Sequence, residues 1–426
     1  MPPRIDLSRR SQVKADPYAS RTHRRIDLIL FVLTIIILFV LLRSSARAAN
    51  VSWTDATNKW ESNNWTGGVG TNPPTAADTA IIGNGGIVNY DATTGTRTVL
   101  ALQVGNPNIG NGTLNISAGS LTVTNNITIS GQGNTSGTIN ITGTGSLNVG
   151  GIVQDGGNGP STVTLNGGTL DLASDGSPGS IAVNTFNAQS GTLRNVSQIF
   201  LGDNTTVTAL TKTTSGTLTL SGTNSYTGGT AVNAGTLLVN TGTGSGAVTV
   251  NGSGTTLGGT GTITGTVTLG NTTPGAILNP GPQGTNGTSG SVGTLTTGAL
   301  TLTGANTVHI DAFGTLATQW DKLISTGAIS LGTTSALDVT IASGLTFTAG
   351  STYVLLNGTS LTGTFSGIAD NQTVIFSGYS FTADYTSTGF DLVAVPEPGT
   401  WCAAALTLGA ILLSQRRRLS RLLAWA

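Results

Sequence analysis

This sequence predicts an all-β fold, a right-handed parallel β-helix, on three observations. The tripeptide Gly-Thr-Leu/Ile begins at Gly112, Gly137, Gly168, Gly191, Gly216, Gly235, Gly261, Gly293 and Gly314. Around it polar and apolar residues alternate, as in Thr113-Leu114-Asn115-Ile116 and Thr217-Leu218-Thr219-Leu220. Of 426 residues, 62 are glycine and only 8% are charged, a poor basis for sustained helix.

A unit recurring about every 25 residues with variable insertions reads as a solenoid. Alternation gives each short strand one apolar face and one face of Thr or Asn. A single unit buries no core, so the units must stack and bury a continuous column of Leu, Ile and Val. Gly-rich corners such as Asn166-Gly167-Gly168 and Thr227-Gly228-Gly229 are expected to supply the positive φ angles of tight turns. At one rung per 20 to 25 residues, positions 111–395 give about a dozen rungs. A series of β-sandwiches built from hairpins is the alternative use of the same strands. With 13 Pro and no strict Gly-X-Y period the chain is not collagen, and with 37% apolar residues it is not a disordered chain.

Charge is sorted along the sequence. Nine basic residues precede Ala48 and four follow Gln415, while residues 49–395 carry five basic against fourteen acidic side chains, a net −9. Such a body offers no electrostatic footprint for nucleic acid. The one cysteine, Cys402, lies in a terminal apolar segment, so the body holds neither a disulfide nor a thiolate metal site.

Both ends read as addresses. Leu28 to Leu42 is uncharged and apolar, preceded by Arg21, Arg24 and Arg25 and followed by Ala46-Arg47-Ala48. This is the order of a secretory signal peptide with a long basic leading region over 1–48, cleaved between Ala48 and Ala49 by the export machinery. Uncleaved, it would act as an anchor. Ser8-Arg9-Arg10 looks like a twin-arginine motif, but Gln12 stands where that motif takes a large apolar residue. At the other end, over 395–426, Pro396-Glu397-Pro398 precedes an apolar stretch, Trp401 to Leu413, and then Arg416, Arg417 and Arg418. Basic residues stay cytoplasmic, so the arginine groups at both ends keep the body outside.

The Pro-Glu-Pro triplet, the short apolar helix and the arginine cluster resemble the PEP-CTERM sorting signal of bacterial envelope proteins. The resemblance implies recognition by an exosortase-type processing enzyme and only transient anchoring in the inner membrane. The alternative is an ordinary C-terminal tail anchor. The tail after Arg418 is longer and more apolar than that pattern usually carries.

Within the body, 49–110 is expected to cap the solenoid, 111–304 to hold its Gly/Thr-rich repeats, and 305–394 to form the last rungs and closing cap. Residues 210–281 resemble the autotransporter-associated β-strand repeat. The residues that carry this likeness are Leu218 to Thr230, with Asn224-Ser225-Tyr226-Thr227-Gly228-Gly229, then Ala234-Gly235-Thr236-Leu237, Leu257-Gly258-Gly259 and Leu278-Asn279-Pro280-Gly281. That family implies a β-helical passenger on the bacterial surface. The terminal membrane barrel of an autotransporter has no counterpart in the ending described above.

The search for chemistry is brief. Trp53, Trp60 and Trp65 read either as the apolar lid of the solenoid or as a platform for stacking sugars. His309 shares a strand face with Asp311, which invites an acid–base reading, but no nucleophile lies near it in sequence. Asp171 with Asp175, and Asp311 with Asp321, are the carboxylate pairs a glycosidase would need, and nothing in the sequence separates them from solvated turn residues. Calcium at Asp171, Asp175 or Asp203 stays open, without the spaced Asp ladder of known loops. No cofactor and no catalytic residue is expected. The sequence therefore reads as a non-catalytic surface or matrix protein, structural or adhesive, touching exopolysaccharide or neighbouring surface proteins. A β-helical polysaccharide-active enzyme or a neutral-glycan-binding module is the alternative.

Overall fold

A computed structural model describes residues 49–395, except 56, 68–72, 131–133, 174–175, 203–205, 271–272 and 283–291, together with 410–413 and 415. The chain divides into two units, Met1–Ala48 and Ala49–Ala426. The first lies outside the described residues, so the fold is that of the second.

The second unit is a parallel β-solenoid. One turn places Thr79–Ile82, Gly86–Tyr90 and Thr96–Val99 on three walls, and the next places Ala101–Val104, Gly112–Ile116 and Ser120–Val123 beside them. Two neighbouring walls merge where Ser161–Asp171 and Thr185–Arg194 run as single bent strands. Among the described residues one sheet of 15 strands runs from Thr57–Lys59 to Ala336–Ile341.

The alternation in the sequence becomes the core of the coil. Leu218, Leu237, Leu257, Leu278, Val308 and Leu337 align in register through six successive turns. Leu121, Leu147, Leu170, Leu193, Leu220 and Val239 form a second column. Burying each such side chain contributes about 1.5–3 kcal/mol, so the stack is held by many equal steps. The outward positions align too: Asn115 donates to Asn89 and Asn140 to Asn115, each at 2.9 Å.

The Gly-Thr-Leu/Ile tripeptide marks corners and bends of the coil, but no single register. Gly112 pairs with Gly137, a turn of 25 residues, whereas the turn near Gly222 and Thr241 takes 19. Gly168 and Gly191 instead lie within the bent strands, and Gly314 lies in a loop. Its spacing varies because the motif moves from one corner to another as turn length changes.

The glycines also divide by cause. Gly167 has φ 116°, as the turn reading requires. Gly228 and Gly229 have no positive φ; a Cβ on Gly228 would strike the Thr208 carbonyl oxygen of the preceding turn, so close approach is what selects glycine there. Asparagines complete the corners. The side-chain oxygens of Asn111, Asn126, Asn195 and Asn306 accept the backbone N–H groups of Ser136, Ile152, Thr223 and Ala276 at 2.7–2.9 Å, joining adjacent turns.

Aromatic residues close both ends. Trp53, Trp60 and Trp65 are buried, with Trp65 packed 5.0 Å from Trp53 and 4.9 Å from Trp60 between ring centres. Trp65–Thr66 lies antiparallel to Asn50–Trp53 and ends that wall. At the other end the parallel course stops. Thr352–Asn357, Gly389–Ala394, Tyr379–Tyr385 and Thr373–Phe376 pair antiparallel in that order. Trp320 stacks on Tyr353 at 4.4 Å, and Phe347 and Phe381 pack edge-on around them.

Among the described residues no helix is long and apolar enough to cross a membrane. Residues 410–413 and 415 are helical. The other residues of the two apolar segments lie outside the described residues.

Candidate functional site

The strand Thr307–Ala312 turns Val308, Ile310 and Ala312 into the core and leaves His309 and Asp311 on its outer face. That face is nevertheless closed. After Ala312 the chain loops back, Trp320 bridges antiparallel to Ala312, and the Asp321 N–H donates to the Asp311 carbonyl at 2.8 Å.

Four titratable side chains meet under this return. His309 Nδ1 lies 2.8 Å from Asp338 Oδ2 and Nε2 lies 3.1 Å from Asp311 Oδ1. Asp321 accepts the backbone N–H of Gly293 at 2.7 Å and that of Asp311 at 3.0 Å. The His309 side chain is 1% exposed, while that of Asp338 is 57% exposed. Asp311 and Asp321 are thus buried, and the solvated-turn reading of both is overturned: the returning loop that covers them lies between them in sequence.

The electrostatics follow from burial and pairing. Burial pulls the His309 pKa down, but the hydrogen bonds and charges of Asp311 and Asp338 outweigh it and leave the imidazole above the ordinary histidine value. Burial pushes the Asp321 carboxyl up to about 7, against the lowering pull of its two N–H donors. Each ring nitrogen of His309 faces a carboxylate and the ring is walled off, so the cluster can hold protons and tie strands together.

The other sequence candidates are placed as follows. Asp171 pairs with Arg194 Nη1 at 3.3 Å and accepts from Asn195 Nδ2 at 2.6 Å. Asp175 and Asp203 lie outside the described residues, as do Ala46, Ala48, Pro396, Glu397, Pro398, Arg416, Arg417 and Arg418. Ala49 is described, and its carbonyl accepts the Thr79 N–H at 2.8 Å. The buried tryptophans offer no open ring face for a sugar. Among the described residues no group of three or more His, Cys, Asp or Glu side chains is arranged to hold a metal ion.

Two features escaped sequence reasoning. Asp338 was legible as the partner of His309 only by aligning Ala336 to Ile341 with Thr307 to Ala312, two alternating runs that the solenoid pairs residue for residue. Lys212 sits inside the coil, in the column continued by Val232 and Val250, and donates to the Thr214 carbonyl. Burial lowers its pKa. Its position in Leu210-Thr211-Lys212, where alternation calls for an apolar residue, was the available signal.

The stretch that begins at Leu210 is also where similarity to known proteins is found. Residues 210–239 match the passenger-associated-transport-repeat. The search of curated proteins found no match. The repeat supplies three strands, Leu210–Lys212, Thr217–Ser221 and Thr230–Val232, and ends with a fourth, Thr236–Val239. It is shorter than the 210–281 read from the sequence, but Thr256–Gly259 and Ile277–Pro280 continue its stack in register. Within it Asn224 links the turns before and after its own, and the buried Tyr226 hydroxyl bonds Thr230 at 2.9 Å inside one turn.

Proposed function

We propose that this protein is an exported, non-catalytic component of the bacterial surface or extracellular matrix, with a structural or adhesive role. The passenger-associated-transport-repeat at 210–239 carries this reading, because the repeat's name is that of secreted passengers. The solenoid supports it physically: long stacked walls of uncharged Thr and Asn suit weak, repeated contact with exopolysaccharide or neighbouring surface proteins, strengthened by multivalency. The coil is taken as right-handed, the hand of nearly all parallel crossovers. No cofactor has a role in this reading.

Its delivery rests on the termini. In this reading Pro396-Glu397-Pro398 is the segment that an exosortase-type enzyme recognises outside the membrane, and Arg416 to Arg418 keep the apolar stretch from passing through. The test is cell fractionation with Pro396, Glu397 and Pro398 all replaced by Ala. Export should persist while the unprocessed chain stays in the inner membrane. Arrival of that variant at the surface at normal size would remove the sorting-signal reading and leave an ordinary tail anchor.

A second reading, a neutral-glycan-binding module, is favoured by the outward row of Asn89, Asn115 and Asn140, uncharged and evenly repeated along one wall.

A further inference from the structure

We infer that His309 is a protonation-dependent clasp, an imidazolium that ties the strand Thr307–Ala312 to Ala336–Ile341 in the next turn and releases its hold as pH rises. Both ring nitrogens lie within hydrogen-bond distance of carboxylate oxygens, 2.8 Å to Asp338 and 3.1 Å to Asp311. A carboxylate only accepts, so both contacts are made as hydrogen bonds when both nitrogens carry protons. A neutral ring keeps one N–H and turns a lone pair toward the other carboxylate. At the buried Asp311 that repulsion is not relieved by water, and at Asp338, whose side chain reaches solvent, the carboxylate turns away, so the tie between the strands is lost either way.

The groups around the ring reinforce the effect. Its own strand contributes Asp311, the next turn Asp338, and the returning loop Asp321. The preceding strand, Ile277–Pro280, brings Asn279 and no titratable side chain. Lys322 follows Asp321 in sequence but makes no ion pair with the described members of the cluster. Loss of the Asp321 proton and the second His309 proton leaves three carboxylates around a neutral ring. Both groups have folded pKa values above their ordinary ones. Their contribution is therefore complete below the unfolded values and fades as pH rises through the folded values, about 7 for Asp321 and above 6.5 for His309. What loosens is the pairing of Thr307–Ala312 with Ala336–Ile341, which the ring spans from Asp311 to Asp338. The Gly293 and Asp311 N–H bonds to Asp321, by contrast, favour its ionised form and stay in place.

The test uses the full chain with 13C-labelled histidine, which reports on His309 and on one other ring, His23. One imidazole should titrate above the ordinary value and its signal should vanish in His309→Gln. Hydrogen exchange at the Ala336 and Ala342 amides, which donate to the Asn306 and Ala312 carbonyls across the clasped strands, should, once corrected for intrinsic base catalysis, quicken about tenfold or more between pH 6 and pH 9 in the wild type. Asp338→Asn, at an exposed side chain that leaves the fold standing, should lower the titration of that same imidazole, and Asp321→Asn should flatten the pH dependence of exchange. Titration at or below the ordinary value, in the wild type, of the imidazole whose signal His309→Gln removes overturns the clasp. So does corrected exchange at those amides that is indifferent to pH, or a titration that Asp338→Asn leaves unmoved.

Discussion

The Asn224 side-chain oxygen accepts the backbone N–H of Val196, 28 residues earlier, at 3.0 Å. The same carboxamide donates to the Ser221 carbonyl at 3.0 Å and to the Gly242 carbonyl at 3.1 Å, so one buried side chain links the turns on either side of its own. Asn224→Ala leaves three backbone groups short of a partner. The expected loss is about 2–4 kcal/mol of stability, since each unsatisfied buried group costs about 1–3 kcal/mol and part of that is relieved by water. Urea unfolding would measure it, with Asn233→Ala, an exposed asparagine, as the reference expected within about 0.5 kcal/mol of wild type. Equal midpoints for the two variants would remove the linking role.

Two glycines chosen for different reasons should respond differently to alanine. A Cβ at Gly137 would collide with the Val104 carbonyl oxygen in the preceding turn, and backbone on backbone leaves nothing flexible to yield. Gly85 has φ +67° with open space around it. Gly85→Ala should cost about 1–2 kcal/mol for the left-handed conformation. Gly137→Ala should cost about 3 kcal/mol or more and lower expression, because a strand must move to make room. Thermal unfolding of both variants would show whether the order holds.

Lys212 gives a prediction with a sign that distinguishes charge from packing. It lies in an apolar column with Thr214 as its hydrogen-bond partner, and burial holds its pKa below the ordinary lysine value. A depressed lysine pKa means that stability grows as pH rises from the folded value toward the unfolded one. Lys212→Met keeps the volume and removes the buried charge. It should be neutral or stabilising by about 1 kcal/mol near pH 7, whereas Lys212→Ala should cost about 2–4 kcal/mol by opening a cavity. Strong destabilisation by methionine would show that the ammonium itself is needed.

Incubation of the full chain with a panel of neutral and acidic polysaccharides should yield no cleavage products. His309 is enclosed and the Asp321 carboxylate is occupied by the Gly293 and Asp311 N–H groups, so neither presents a reactive atom to a sugar. Turnover that disappears in Asp311→Asn or His309→Gln, with folding intact, would instead make this cluster an active site.

The sequence by itself determined the class of fold. Alternation of Thr or Asn with Leu, Ile or Val is a local property, and it fixes which side of each strand is buried before any partner is known. The Gly-Thr-Leu/Ile tripeptides marked that corners recur, for glycine answers to local φ or to close approach wherever it stands. The match at 210–239 was likewise legible, because Asn224, Tyr226 and the Gly228-Gly229 pair fall in one short stretch.

The tertiary structure alone decided what depends on turn length. His309 meets Asp338, 29 residues on, because the intervening chain closes one turn in register, and that number follows from loops whose composition does not encode it. Asp321 looked like a turn residue and is buried because the loop between Phe313 and Gln319 folds back over its own strand. Lys212 faces inward because its strand joins a column of Val and Leu, where register overrides the side chain's own preference for water. The reversal to antiparallel pairing after Thr352–Asn357 was hidden for the same reason: alternation reads alike in both directions, and only the pairing partner sets the sense of a strand.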